Sequence, residues 1–403
     1  VKKQKDVGKR QSHHYYFNNG TMDFAAGWLL GYSQIGGLSA GEIYDCLNKI
    51  QDGKPDSWVE AFTDSMRFQR KMAEECSDAG DNNGAGMKYL ACAHAARSVL
   101  HMCDPASEHA IDTVKIMEDA FQKAMDFLKT GLKPYDFDFK GKKLPGYMTA
   151  PLSDEKALYI VIGGGDTYRE DLYFFGGSEA IKNGYNVLLV DLPGQGKTPY
   201  AGMHFGEDTV NALSAVLDQM EIIGFKGKKI LSGYSGGGYF TTMFLSREKR
   251  IDAWIASTPI FDMRITIERA MPALLTGNPS GWLQRTLLGI AGNLNPTLES
   301  ALKKYNWQFG PGGLASVLEI FKVTGIADYE KINVPSLFLV GMSEDGETMR
   351  QARIVYESIK QRRPASKILE FAAATGADAH CQVNNLLWAQ HYIFNWLKSI
   401  ELG

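Results

Sequence analysis

One short run constrains this chain more than any other: Gly233-Tyr234-Ser235-Gly236-Gly237, directly after the apolar segment Lys229–Ser232 and just before Tyr239–Ser246, which reads as a helix. A serine between glycines at a strand-to-helix reversal requires a strand that ends inside a sheet and a helix that begins at once. So tight a turn leaves no room for side chains beside the serine, which accounts for Gly233 and Gly237. The Ser235 hydroxyl is then carried out at the carboxyl end of the sheet, where open α/β sheets place their reactive groups. A glycine turn ahead of an ordinary helix is the blander alternative, and the flanking strand and helix weigh against it.

Further buried-strand candidates surround that one: Leu158–Ile162, Asn186–Val190, Ala253–Ser257, Ser336–Val340 and Ile368–Phe371. Short apolar runs bounded by Gly or Pro, with helical segments between, describe a mostly parallel sheet covered on both faces. Residues 261–331 interrupt that rhythm with Pro272, Pro279, Pro296 and Pro311, and read as an irregular, mostly helical excursion. Before residue 132 the pattern is helical with no convincing strand. Ser39-Ala40-Gly41-Glu42 and Ser57-Trp58-Val59-Glu60 have the form of helix-starting capping boxes, the first helix stopping near Gly53-Lys54-Pro55. Val114, Met117, Phe121, Ala124 and Leu128 repeat at the spacing of a packed helix face, and Tyr89 to Leu100 is alanine-rich, which favours close helix approach. The expected division is a basic arm over 1–20, a helical unit over 21–132 and an α/β unit over 133–403. The arm carries Lys2, Lys3, Lys5, Lys9 and Arg10 against Asp6, and a solvated terminus is its simplest reading.

Composition matters mainly for what it excludes. A net charge of −3 offers no basic field for nucleic acid or anionic lipid. The five cysteines (Cys46, Cys76, Cys92, Cys103 and Cys381) are odd in number and widely spaced, which argues against a disulfide scaffold or a zinc site. No apolar run is long enough for a membrane span and no secretion leader is read, so the default location is cytoplasmic. Neither metal nor cofactor is expected, and the expected partner is a small-molecule substrate.

A serine hydroxyl is a weak nucleophile until a base takes its proton. Of the eight histidines, His380 alone lies on a loop after the last strand, in Gly376-Ala377-Asp378-Ala379-His380-Cys381. The orienting carboxylate should follow the preceding strand, where Glu344 and Asp345 compete; Glu344, three residues after Gly341, has the favoured offset. Two backbone amides would hold the oxyanion: Gly236, and one from the loop Gly163-Gly164-Gly165-Asp166, at Gly165 or Asp166. Two signals are set aside. Gly194-Gln195-Gly196-Lys197-Thr198 ends like a phosphate-binding loop, but Asp191 stands where its first glycine is required and Pro199 follows. Cys381, on the base loop with no base of its own, reads as a buried thiol rather than a nucleophile.

The order serine, acid, histidine is that of α/β hydrolases. From about residue 24 the chain resembles the α/β hydrolases related to dihydroxypseudooxynicotine hydrolase and to fungal polyketide-shortening hydrolases. The likeness rests on Asp52-Gly53-Lys54-Pro55-Asp56-Ser57-Trp58, on Ala79-Gly80 with Tyr89-Leu90-Ala91-Cys92-Ala93 and Arg97, on Val190-Asp191-Leu192-Pro193-Gly194-Gln195-Gly196, and on Gly376-Ala377-Asp378-Ala379-His380-Cys381-Gln382. It implies an α/β-hydrolase fold under an N-terminal helical cap, a metal-free serine mechanism with Ser235, His380 and Glu344, and a homodimer. It also implies cleavage of an ester, an amide or a carbon–carbon bond beside a ketone, on an aromatic or polyketide-like carbonyl compound. By position, Asp262 matches an accessory acid of a relative, and capping the next helix is its equal alternative. Tyr89, Arg97, Tyr234 and Trp58 are candidate pocket liners, with helix packing the preferred reading for Trp58. Two other readings stay open: an acyltransferase or thioesterase-like chain-release enzyme with the same triad, and a silent ligand-binding protein of the same fold.

Overall fold

The structure is a computed structural model that describes residues 10–270, 295–310, 317, 320–321 and 323–402. Five helices come first: α1 (Gly20–Ser33), α2 (Ala40–Leu47), α3 (Pro55–Asp78), α4 (Asn82–Met102) and α5 (Glu108–Phe127). Side chains satisfy orphan amides at most of their starts. Asn19, Asp81 and Ser107 accept from the first turns of α1, α4 and α5, and Ser39 with Glu42 closes a capping box on α2. Two expectations need correction. Ser57 starts no helix: α3 already begins at Pro55, whose missing N–H costs nothing in a first turn, and the Ser57 hydroxyl instead accepts from Gln51 N and donates to Lys54 O. The helix begun at Ser39 ends at Leu47, well short of Gly53, because Asn48 folds back as its C-cap.

A single eight-stranded sheet follows, in the order β1-β2-β4-β3-β5-β6-β7-β8. The strands are β1 (Leu132–Phe139), β2 (Lys142–Thr149), β3 (Leu158–Ile162), β4 (Asn186–Val190), β5 (Lys229–Tyr234), β6 (Ala253–Ser257), β7 (Ser336–Gly341) and β8 (Lys367–Phe371). From β4 to β8 every neighbouring pair is parallel, while β1 and β2 form an antiparallel hairpin added at one edge. That hairpin was absent from the sequence expectation. Its turn is Lys140-Gly141, both at positive φ; Pro134 lies on the edge strand β1, where it is tolerated, and Pro145 of β2 lies just outside the β2–β4 register that starts at Gly146.

Between strands run α6 (Ser178–Lys182), α7 (Glu207–Ile222), α8 (Gly236–Leu245), α9 (Met263–Ala270), α10 (Pro296–Phe309) and α11 (Gly346–Lys360), with α12 (Leu386–Ser399) closing the chain. α9 and α10 are helical pieces of the excursion, and Pro296 opens α10; Pro272, Pro279 and Pro311 lie outside the described residues, as do Lys2, Lys3, Lys5, Asp6 and Lys9 of the basic arm. Side chains alternate across the sheet, so each face has its own core. Tyr159 and Val161 of β3 join one core; Leu158, Ile160 and Ile162 join the other. The first core also holds Leu29, Tyr32, Trp58, Val99 and Phe121, so α1–α5 pack into the same apolar body as one face of the sheet. Among the described residues no helix is long and apolar enough to cross a membrane.

Candidate active site

β5 ends at Tyr234 and α8 starts at Gly236, which leaves Ser235 alone at the reversal with φ 56° and ψ −121°. A non-glycine residue is strained there, and neighbours hold it: Ser235 N donates to Ser257 O at 2.7 Å. The Ser235 Oγ lies 2.9 Å from His380 Nε2. His380 sits past β8, its amide donating to Arg10 O at 2.8 Å. Its Nδ1 is 3.3 Å from Glu344 Oε2. Glu344 is buried on the loop after β7, and its other oxygen accepts from Thr258 Oγ1 at 2.9 Å. Asp345, the competing carboxylate, is instead the N-cap of α11, accepting from Glu347 N. The structure therefore brings Ser235, His380 and Glu344 together and turns Asp345 away. Burial works against protonating His380, but the Cys381 sulfur and the Glu344 carboxylate favour it and push its pKa up to about 10. Cys381 itself is buried, its thiol donating to Ser257 O at 3.2 Å.

The loop after β3 lies against the elbow. A Cβ on Gly164 would stand 2.6 Å from Ser235 Cβ, so only glycine permits this approach. The Gly165 nitrogen lies 3.5 Å from where a side chain on Gly236 would begin, so this loop also abuts the residue that follows the nucleophile. Two buried glutamines brace the loop. Gln195 Nε2 donates to Gly163 O at 2.5 Å and to Gly164 O at 3.2 Å, and Gln308 donates to Gly165 O. The half-exposed Asp166 carboxylate sits at the cleft rim, where Lys304, 2.8 Å away, holds it well below the usual range with help from Arg10. Its carbonyl accepts from Arg97.

A narrow cleft of about 20 Å³ opens beside Ser235 and His380, lined by Phe24, Trp28, Phe175, Tyr234, Asp166 and Arg10 among others. Of the candidate liners, Tyr234 is there, its ring 4.9 Å from that of Phe175. Tyr89 is not: it stacks on Phe127 between α4 and α5. Arg97 is a buried strut, with Nε 2.6 Å from Asp171 Oδ2 and its guanidinium over the Trp28 ring. Trp58 is a core residue whose indole donates to Ser98 O. Asp262 lies outside the cleft lining, and its carboxylate accepts from Ile265 N at the start of α9. Phe24, Trp28, Phe175, Thr258, Gln195 and Arg10 had no site role in the sequence expectation; Gln195, in the glycine-rich loop after β4, and Arg10, in the basic arm, stood near a signal. A larger open hollow of about 920 Å³ across α12 contains none of the Ser235 cluster. No group of histidine, cysteine or carboxylate side chains able to hold a metal exists among the described residues.

Residues 155–308 match a family model described as serine aminopeptidase, S33, a span that includes Ser235 and stops short of Glu344 and His380. Across nearly its whole length the chain is similar to two curated fungal proteins. It is 26% identical to hydrolase LUC6 of a Fusarium species, over 95% of this chain and 97% of the relative. It is 27% identical to 20-hydroxy-prefusarin hydrolase FUS2 of Gibberella moniliformis, over 96% of this chain and 98% of the relative. Among solved structures, 2,6-dihydroxy-pseudo-oxynicotine hydrolase superposes with a TM-score of 0.65 at 15% identity, covering 91% of this chain and 94% of its own. At that identity the likeness speaks to the fold, which the two share over most of their lengths.

Proposed function

We propose that this chain, an α/β hydrolase by fold and by its likeness to curated hydrolases, is a serine hydrolase in which Ser235 attacks a substrate carbonyl. The observation that carries the reading is the relay Ser235 Oγ, His380 Nε2, His380 Nδ1, Glu344 Oε2, with steps of 2.9 and 3.3 Å at its ends. As Oγ bonds to the carbonyl carbon, its proton passes to His380 Nε2, and Glu344 stabilises the imidazolium that forms. The carbonyl oxygen gains negative charge and accepts from the amides of Gly236 and Gly165, which need no reorganisation because Gln195 and Gln308 already hold the loop. Collapse breaks the bond to the leaving group, which takes the proton from His380. Water then repeats the sequence on the acyl-enzyme, its proton passing to His380 and its oxygen to the acyl carbon, and Ser235 is released.

Four aromatic rings, Phe24, Trp28, Phe175 and Tyr234, wall the cleft and suit an apolar carbonyl compound of aromatic or polyketide type, which at a cleft volume of about 20 Å³ enters only as those rings part. Phe24 and Trp28 belong to α1, so the helical segment supplies substrate contacts as a cap would. The relay serves an ester, an amide or a carbon–carbon bond beside a ketone alike, since in each case His380 can deliver the proton to the departing atom. A panel of aryl esters and matching β-diketones separates these bond classes: hydrolysis of any of them that vanishes in Ser235→Ala supports the reading. Undiminished turnover in that variant contradicts it.

A further inference from the structure

A second buried carboxylate ties the relay to the start of the chain. Asp378 is fully buried and stands two residues before His380. Its Oδ2 accepts from Ser12 N at 3.1 Å, from Ser12 Oγ at 2.5 Å and from Ser343 Oγ at 2.5 Å. Its Oδ1 accepts from Asn384 Nδ2 at 3.1 Å and lies 3.4 Å from His13 Nε2. Burial raises its pKa, but the hydrogen bonds from Ser12, Ser343 and Asn384 outweigh that and keep it below the usual carboxylate value.

The donors come from segments far apart in sequence, and each adjoins a working part of the site. Ser343 immediately precedes Glu344, and its amide donates to Asp378 O at 3.1 Å. The acid and base loops touch backbone to backbone at Gly341, where a Cβ would come within 2.3 Å of Asp378 O. Ser12 lies on a strap, residues 10–17. Arg10 at one end accepts the His380 amide through its carbonyl and lines the cleft with its side chain. Asp23 of α1 fastens the other end, taking Tyr15 N, Tyr16 N and Phe17 N on Oδ1 and Gln11 Nε2 on Oδ2.

We propose that Asp378 is a positioning residue: through Ser12 and Ser343 it holds the N-terminal strap, the Glu344 loop and the His380 loop in one arrangement, so that residues 10–12 are part of the active site. The proposal rests on the Ser235–His380–Glu344 relay stated above. Three donors on one carboxylate oxygen, two of them short, fix its geometry in a way neutral hydrogen bonds do not. A displacement well under 1 Å between the base and its partners lowers the population of reactive geometry while leaving substrate contacts in place. The effect therefore falls on kcat rather than KM, because neither Ser12 nor Ser343 lines the cleft.

The test uses the full chain and 4-nitrophenyl butyrate, with Ser12→Ala, Ser343→Ala, the double variant, Ser12→Thr and Ser235→Ala. The rate of fluorophosphonate labelling at Ser235 and the Tm are read on the same samples. The expected result is a loss in kcat and labelling rate of about tenfold in each alanine variant and more in the double, with KM and Tm close to wild type, and recovery in Ser12→Thr. With wild-type activity dependent on Ser235, an unchanged kcat per folded molecule in both alanine variants overturns the positioning role and leaves the relay standing. A fall in Tm without a fall in kcat overturns it equally. Turnover or labelling that survives Ser235→Ala removes the relay itself, and the proposal with it.

Discussion

At the scale of single residues, the proposed mechanism turns on where one proton sits. His380 must be neutral to accept the Ser235 proton. Burial lowers its pKa, but Cys381 and Glu344 more than offset that and hold it above the ordinary imidazole value of 6.5. A raised pKa keeps the base protonated at pH values where free imidazole is neutral. Activity accordingly climbs with pH, and the acid limb of kcat/KM lies above the usual histidine range. Glu344→Gln removes one of the two raising causes, so the limb moves down in pH while kcat falls about a hundredfold or more; a pH–rate profile of both proteins reads the sign directly. Asp345→Asn, which touches only the first turn of α11, leaves kcat near wild type and changes stability by no more than about 1 kcal/mol, measured by denaturant unfolding. The three residues proposed as the relay, each brought by the fold within 3.3 Å of the next, are legible in the sequence because the serine turn, the acid loop and the base loop are each announced by local glycine punctuation and by chain order. The choice between Glu344 and Asp345 is less so. It depends on which side chain the start of α11 captures as its cap, and that is a matter of backbone geometry.

At the scale of elements, the loop after β3 is pinned from both sides: by Gln195 and Gln308, and by Arg97 of α4 through Asp166 O and Asp171. Arg97 and Asp171 are both essentially excluded from water, and Tyr32 OH and Tyr168 N also donate to Asp171. Removing one member strands the other's charge, so Arg97→Met should lower unfolding free energy by about 3–5 kcal/mol, checked by chemical denaturation. The strands β3 to β7 are readable as short apolar runs because burial on both faces leaves no alternative composition, whereas β8, expected as a buried strand, is an edge strand buried only at Phe371. The edge hairpin β1–β2 is not. One face of β1 is exposed and mixed in polarity, and its proline-containing strands contradict the usual strand signal, although the Lys140-Gly141 turn is a visible cue. The strap escapes for a different reason. Nothing in Ser12 or Arg10 marks a partner more than three hundred residues away, and that pairing exists only once the sheet has brought the base loop round.

For the whole molecule, the shared core is what makes helices and sheet one unit. Trp58, Phe121 and Tyr32 from the helical segment lie in the same apolar cluster as Tyr147, Tyr159 and Phe175. Helices and sheet that bury side chains in one apolar cluster lose that burial together, so calorimetry should show one cooperative transition, whereas two resolved transitions would mean that the helices and the sheet are separately stable. The same continuity explains how α1 can present Phe24 and Trp28 to a serine carried by a strand two hundred residues later. Whether that assembly activates Ser235 is read by intact-mass analysis after exposure to a small fluorophosphonate. A single adduct on the wild-type chain and none on Ser235→Ala is the expected result. Folded wild type that takes no adduct, or an adduct that persists in the variant, would contradict the role given to Ser235.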